Sequence, residues 1–304
     1  MFNYEYWGRG SFNAKVNMAL EEFLLKRAAK KVAPVRFWDF SKDSVVLGYA
    51  QAPDVIKKFD NNFNTVRRIT GGSHVHTGKN ILSYTFAVPR DDSFRTFEDM
   101  RAYFADIVAN GLEDIGIKNI VVDNKASTIK VDDKIIASHA IIWGVKSALL
   151  HGLIIIDPYD VNKVNERVVL SKRKIGSNIY TEYNAIKNIP VVSQLLKNIA
   201  PKLDEERRSE LLKDMIAKAV LKRLTNKYEQ KIITPQIIIE SLGIDQNKHK
   251  KEIWFEKRKP PFEKEDIEEI PGEELKGNLK KNLGYCLFIQ TKNKDFKKMA
   301  EVDD

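Results

Sequence analysis

The chain has 304 residues, of which 43% are hydrophobic and 31% are charged, so it is long enough to bury a sizeable core as one large or two unequal domains. No apolar stretch approaches the roughly 18 residues of a transmembrane helix, and the N-terminal segment lacks a signal-peptide pattern, so we expect a cytoplasmic protein with no membrane partner. The formal net charge of +9 suits a phosphorylated cofactor or an acidic protein; nucleic acid is not expected, because no helix-turn-helix pattern or aromatic-interleaved basic patch is present.

The N-terminal segments predict a helix followed by a hairpin. Residues 12–31 place apolar side chains at helical spacing, with Glu21 among the polar residues off the apolar stripe. Residues 34–40 and 44–50 are β-branched and aromatic runs on either side of a polar turn, a pattern typical of a β-hairpin. A helical segment over 54–63 then leads into a glycine loop.

The middle of the chain predicts a second helix and a meander of strands. Residues 94–114 have apolar side chains at helical spacing, and this helix is expected to end near Gly116. Short apolar runs separated by polar turns follow at 119–123, 127–131, 134–142 and 148–157. A sheet packed against the first two helices makes the predicted fold class α+β, with mixed or antiparallel sheets flanked by helices.

The C-terminal third predicts mainly helices and a charged extension. Residues 171–186 read as a loop, and helices are predicted over 158–168, 190–200, 204–228 and 233–243. We expect residues 1–230 to form the main domain. Residues 231–304 are charge-dense and interrupted by prolines, so we expect a charged extension or small accessory domain there.

The most informative segment is RRITGGSHVHTGKNILSYTF, residues 67–86. Arg67 and Arg68 end an extended run, and the glycines after them allow backbone N–H groups to approach a ligand, so the segment predicts an anion cradle with two cations at its edge. A strand follows the glycines where a P-loop or dinucleotide fingerprint would have a helix, which argues against both. A hairpin turn flanked by a basic pair is the simpler alternative.

Four segments in this order resemble the lipoate-protein ligase A family of the biotin/lipoate protein ligase superfamily. They are SVVLGYAQAP (44–53), RRITGGSHVHTGKNILSYTF (67–86), VDNKASTIKVDDKIIASHA (122–140) and LLHGLIIID (149–157). The resemblance covers roughly residues 1 to 200 and implies a class II-synthetase-like catalytic domain with a C-terminal extension. It also implies an ATP- and Mg²⁺-dependent ligase that activates lipoate or octanoate as an acyl-adenylate and transfers the acyl group to a lysine of a lipoyl-carrier domain.

The resemblance implies a role for each matching residue. Lys134 matches the essential lysine, whose ammonium would lie beside the carboxylate and α-phosphate; a surface lysine in a hairpin is the alternative. The residues implied to bind the nucleotide and acyl ligands are Arg67, Arg68, Gly71, Gly72, Ser73, His74, Val75, His76, Thr77, Lys134, Ser138 and His151. His151 could equally be a buried structural histidine. His74 and His76 show no evident third ligand, so no metal site is predicted among protein side chains.

The resemblance also implies partners, and the departures from it keep alternatives open. Carriers would be a glycine-cleavage H-like protein or a 2-oxoacid dehydrogenase E2, and a separate accessory protein could be needed. The family's third glycine is Ser73 here, its His-Asp pair reads Thr77 and Gly78, and the glycine after its lysine is Ala137. A non-catalytic lipoyl-binding relative is therefore one alternative. An ATP-independent octanoyltransferase is another, but it would use a cysteine of the central sheet, and the single cysteine is Cys286. Biotin ligases share the fold but have a different glycine loop, so biotin is a minor alternative.

Overall fold

The computed structural model describes residues 2–49, 51, 56, 64–91, 93–158, 160, 166, 172–175, 178–181, 191–196 and 201–244. The helices predicted over 54–63 and 158–168 fall mostly outside the described residues. Residues 245–304, which include Cys286, also lie outside them. In the described part, no helix has both the length and the apolar character that crossing a bilayer requires.

The strands and helices alternate irregularly along the chain. The strands are β1 (Tyr4–Phe12), β2 (Ala33–Phe40), β3 (Ser44–Leu47), β4 (Asn64–Arg67), β5 (Val75–Thr77), β6 (Ile81–Pro89), β7 (Ile120–Asp123), β8 (Thr128–Val131), β9 (Lys134–Trp143), β10 (Ser147–Ile155), β11 (Lys172–Ile175), β12 (Asn178–Thr181) and β13 (Glu229–Gln230). The helices are α1 (Ala14–Ala28), α2 (Phe97–Asp114), α3 (Val192–Leu195), α4 (Glu205–Leu224) and α5 (Pro235–Ile244).

Eight strands form one mixed sheet in the order β13-β1-β2-β6-β10-β9-β8-β7. β1 runs parallel to both of its neighbours, and the other pairs are antiparallel. A smaller sheet has the order β4-β3-β5. The α+β prediction is confirmed, and so is the meander, which is formed by β7 to β10.

Side chains that alternate along β6 build a core on each face of the large sheet. Leu82, Tyr84 and Phe86 join a core that also contains residues of α2 and α4. Ile81 and Ala87 point to the opposite face, where α1 and the small sheet pack. This alternation is the period of two expected for a strand covered on both sides.

Each predicted helix in the described part exists, with shifted bounds. The α2 helix starts with a capping box in which the Thr96 side chain accepts from the Asp99 backbone N–H and the Asp99 carboxylate accepts from the Thr96 N–H. The last described residues pack onto the same body, because β13 pairs with β1 and α5 contacts α1.

Two predictions about strand pairing are wrong. The hairpin of 34–40 with 44–50 does not form, because β2 pairs with β1 and β6 whereas β3 pairs with β4 and β5 in the other sheet. Apolar runs specify strands but not their partners, and the turn after Phe40 sends the chain into the small sheet. The loop predicted over 171–186 contains the β11–β12 hairpin.

Candidate active site

The glycine loop is held by the three-stranded sheet. β3 lies in the centre, parallel to β4 and antiparallel to β5. The loop runs from Arg68 to His74 and connects β4 to β5 past the end of β3, where Leu47 faces Arg67 and Val46 faces Val75. Both ends of the loop are therefore anchored to one strand.

Arg67 lies inside this structure and not at the edge of the loop. Its side chain is buried, and its Nη1 donates to the carbonyl oxygens of Gly48, Tyr49 and Gln51 at 2.8, 2.9 and 2.6 Å. Hydrogen bonds from a guanidinium to three carbonyls fix the backbone that follows β3. These hydrogen bonds give Arg67 a structural role.

Arg68 lies beneath the glycine loop. Its Nη2 donates to the carbonyls of Gly71 (2.6 Å) and Ser73 (2.8 Å), and its Nε donates to the Thr70 hydroxyl at 3.0 Å. Burial, together with the nearby Arg67 cation, lowers the pKa of Arg68 to about 10, so the guanidinium keeps its charge at neutral pH. A fixed positive charge therefore supports the loop from below.

Two glycines permit this packing, and a third faces open space. A Cβ on Gly48 would lie 1.7 Å from the Gly72 carbonyl oxygen, and Gly72 has a positive φ of 92°. A Cβ on Gly71 would meet no atom of the described residues within 4 Å. Gly71 is thus the part of the loop that another molecule can approach closely.

His151 joins the loop to the large sheet. Its Nε2 lies 2.6 Å from the Thr70 hydroxyl, and its Nδ1 lies 3.0 Å from Glu21 Oε2. The other Glu21 oxygen accepts from the Thr85 hydroxyl at 2.6 Å, and Thr85 accepts from the Trp38 indole N–H at 2.9 Å. The structure therefore brings together Arg68, Thr70 and His151.

Lys134 lies at a different place along the sheet. It is the exposed first residue of β9, directly after a turn in which Asp132 and Asp133 both have positive φ. His151 pairs with Ala140 of the same strand, six residues further on, which is about 20 Å at the usual strand rise. In the described part of the chain no ion pair engages Lys134.

The remaining predicted residues lie around these groups. Ser138 pairs with Leu153 on β10, Thr77 donates to the Ser44 carbonyl at 3.2 Å, and the Nδ1 of His74 lies 2.7 Å from the Gln51 amide. Val75, His76 and Thr77 form β5. Within the described residues, no group of three His, Cys, Asp or Glu side chains could hold a metal ion.

Two residues of this site were missed by the sequence prediction. Glu21 was assigned to the polar side of the first helix, yet its side chain is only 1% exposed. Thr70 was treated only as part of the loop. A helical repeat shows which residues are polar, but it does not show that a carboxylate is buried opposite a histidine 130 positions later.

A family model identifies the family of this chain. The model of the lipoyl protein ligase A/B catalytic domain matches residues 13–219. The chain belongs to this family. Among curated proteins, lipoate–protein ligase 1 of Staphylococcus aureus (strain Mu50 / ATCC 700699) is 23% identical over 212 residues, which are 67% of this chain and 59% of that protein. The match thus spans about three fifths of that relative's length.

Solved structures of the same family share the fold. Lipoate-protein ligase A bound with ATP has a TM-score of 0.63 and 17% identity, covering 84% of this chain and 98% of that one. A bi-partite lipoate protein ligase, described with its E2 lipoyl domain from Thermoplasma acidophilum, has a TM-score of 0.65 and 15% identity over 84% and 96% of the two chains. The fold that these structures share with this chain therefore covers 84% of it.

Proposed function

We propose that this protein is an ATP-dependent lipoate-protein ligase. The observation that carries the proposal is the glycine loop of the matched catalytic domain: Arg68 donates hydrogen bonds to its carbonyls, and none of the described residues covers Gly71. Relatives named as lipoate-protein ligases, one of them solved with ATP, support the same activity. The acid would be lipoate or octanoate.

The reaction would proceed in two steps. A carboxylate oxygen of the acid attacks the α-phosphorus of ATP, the bond to the β-phosphate oxygen breaks, and pyrophosphate leaves. The ε-amine of a carrier lysine then attacks the acyl carbonyl of the adenylate, and AMP leaves with the bonding electron pair while the amine loses a proton. The adenylate is open to water as well as to lysine, so a loop that excludes solvent favours transfer.

The residues of this chain would bind and orient the reactants. Backbone N–H groups around Gly71 would donate to phosphate oxygens, and the Arg68 guanidinium beneath them would add a fixed positive charge. Lys134 would bring a second cation to the α-phosphate and the carboxylate. Because it lies about 20 Å along β9 from the level of His151, we infer that the ligand extends along this strand.

Mg²⁺ would reach the site with the nucleotide. The described residues contain no group of three metal-ligating side chains, and Mg²⁺ in nucleotide sites is held largely by phosphate oxygens and water. The groups that this site offers are the loop N–H groups, Arg68 and Lys134, which bind phosphate, so they fit an ion that ATP itself carries. Its chemistry would be neutralisation of phosphate charge.

The acceptor would be a lipoyl-carrier domain, either a glycine-cleavage H-like protein or an E2 domain. The structural relative described with its E2 lipoyl domain supports this class of partner. That relative is also bi-partite, so a separate accessory protein or residues 231–304 could complete the catalytic unit. A chain ending at Ile244 keeps β13 and α5 and tests the extension: full adenylation activity without residues 245–304 would exclude a requirement for them.

Substitution of Lys134 tests whether its ammonium acts on the α-phosphate and the carboxylate. Lys134→Ala should lower lipoate-dependent ATP–pyrophosphate exchange by at least about a hundredfold, the scale of losing one preorganised charge, with an unchanged Tm. Lys146→Ala is the matched control, because Lys146 is exposed at the other end of the β9–β10 hairpin. Full activity of Lys134→Ala would overturn the mechanism. Tight binding of lipoyl-AMP by the wild type without turnover would favour a non-catalytic lipoyl-binding relative.

A further inference from the structure

A buried carboxylate stands behind the histidine of the candidate active site. Glu21 lies on α1, its side chain is 1% exposed, and both of its oxygens are engaged. Oε1 accepts from Thr85 at 2.6 Å and lies 4.0 Å from the Arg36 guanidinium, while Oε2 lies 3.0 Å from His151 Nδ1. A carboxylate this deeply buried costs free energy unless its partners are specific.

The hydrogen-bond chemistry fixes the direction of each proton along this path. An ionised Glu21 can only accept, so a neutral His151 carries its proton on Nδ1 and donates it. In this neutral tautomer His151 Nε2 is an acceptor, and the Thr70 hydroxyl 2.6 Å away donates to it. The Thr70 oxygen is left to accept from Arg68 Nε at 3.0 Å. Every donor meets one acceptor in this order.

We propose that Glu21 is a positioning residue that selects the Nδ1–H tautomer of His151 and thereby holds Thr70 and the glycine loop over Arg68. The proposal deepens the proposed function, because its effect on catalysis rests on that function. Its structural part stands on the path Glu21–His151–Thr70–Arg68 alone. Neither Glu21 nor Thr70 needs to touch a substrate for this role.

The proposal predicts a specific consequence of an isosteric change. In Glu21→Gln the amide oxygen can still accept from Thr85, but the amide nitrogen donates to His151 Nδ1, so the ring proton moves to Nε2. The Thr70 oxygen then faces two donors and its own proton loses its acceptor. The volume of the side chain is unchanged, so altered packing does not explain the result.

Glu5→Gln is the matched control. Glu5 of β1 is also a buried carboxylate, 2% exposed, and it accepts from Arg27 of α1 and from Trp7 of β1, away from the glycine loop. Its substitution removes a buried charge of the same size. It leaves the path from Glu21 to Arg68 intact.

Two measurements on the full-length protein test the proposal without requiring activity. Nitrogen-15 shifts of the histidine side chains should show His151 as the Nδ1–H tautomer in the wild type and Glu5→Gln, and as the Nε2–H tautomer in Glu21→Gln. Hydrogen exchange of the amides of residues 68–74 should accelerate about tenfold in Glu21→Gln only, the scale expected for one lost buried hydrogen bond. An unchanged tautomer in Glu21→Gln, or equal acceleration in Glu5→Gln, would overturn the proposal.

Substitutions of Thr70 test the link from His151 through Thr70 to the glycine loop, even if Glu21→Gln does not fold. Thr70→Val should accelerate loop exchange about tenfold while His151 keeps its Nδ1–H tautomer, and Thr70→Ser should restore wild-type protection. If the serine and valine variants behave alike, the hydroxyl has no positioning role and the proposal fails.

Catalysis provides a separate readout. If the wild type catalyses lipoate-dependent exchange, Glu21→Gln should raise the KM for ATP more than it lowers kcat, because the loop is displaced and no reacting group is removed. If the wild type shows no ATP–pyrophosphate exchange with any acid, also after addition of an accessory lipoate ligase subunit, the proposed function fails, whereas the tautomer and loop measurements still decide the role of Glu21.

Discussion

His139 is buried against α2, and neither of its ring nitrogens has a hydrogen-bond partner among the described residues. Burial, and next the Arg101 cation, lower its pKa from 6.5 to about 4. The unfolded chain therefore binds a proton between these two values that the folded chain does not bind. By linkage, the free energy of unfolding must fall as the pH drops through this window.

His139→Leu should remove this contribution. We expect the wild type to lose roughly 3 kcal/mol more stability than the variant between pH 7 and pH 4, since one unit of pKa is about 1.4 kcal/mol. Urea denaturation at several pH values measures the difference, and comparison with the wild type cancels the acid sensitivity of the carboxylates. Parallel pH profiles for the two proteins would show that His139 is not held neutral.

At the scale of elements, the contact between Gly48 and Gly72 holds the glycine loop against the end of β3. A methyl group at Gly48 would lie 1.7 Å from the Gly72 carbonyl oxygen, whereas one at Gly71 would meet no atom of the described part of the chain within 4 Å. Gly48→Ala should therefore cost on the order of 1–3 kcal/mol of stability and displace the loop. Gly71→Ala should leave stability within about 0.5 kcal/mol.

Nucleotide binding should separate the two glycine variants further. Gly71→Ala is expected to raise the KM for ATP several-fold at an unchanged Tm, because its methyl group occupies the open space above the loop. Gly48→Ala should impair both stability and binding. Tight ATP binding by a stable Gly71→Ala protein would place the nucleotide elsewhere.

The sequence predicted elements well where a repeat carried the information. The alternation of β6 and the helical spacing of α2 are local, so both elements could be placed from the residues alone. The pairing of β3 with β4 and β5 could not, because an apolar run does not name its partner. The same holds for the site. The glycine loop could be predicted from its motif, whereas the burial of the Glu21 and Arg67 side chains depends on contacts with residues distant in sequence.

At the scale of the whole molecule, the net charge of +9 suits association with an acidic carrier domain. Electrostatic steering raises association rates and weakens with ionic strength. Transfer to such a carrier should therefore lose about tenfold in kcat/KM between low and physiological salt, while ATP–pyrophosphate exchange, which needs no carrier, changes little. If transfer and ATP–pyrophosphate exchange depended equally on salt, the salt effect would arise from nucleotide binding and not from association with the carrier.

The activity proposed for this catalytic domain is the activation of a carboxylic acid with ATP. ATP–pyrophosphate exchange, measured with Mg²⁺ and with lipoate, octanoate or biotin in parallel, tests it most directly because the adenylation step is isolated from the acceptor. We expect exchange that depends on lipoate or octanoate, that biotin does not support and that Lys134→Ala abolishes. Absence of exchange with every acid, also after addition of an accessory lipoate ligase subunit, would contradict it.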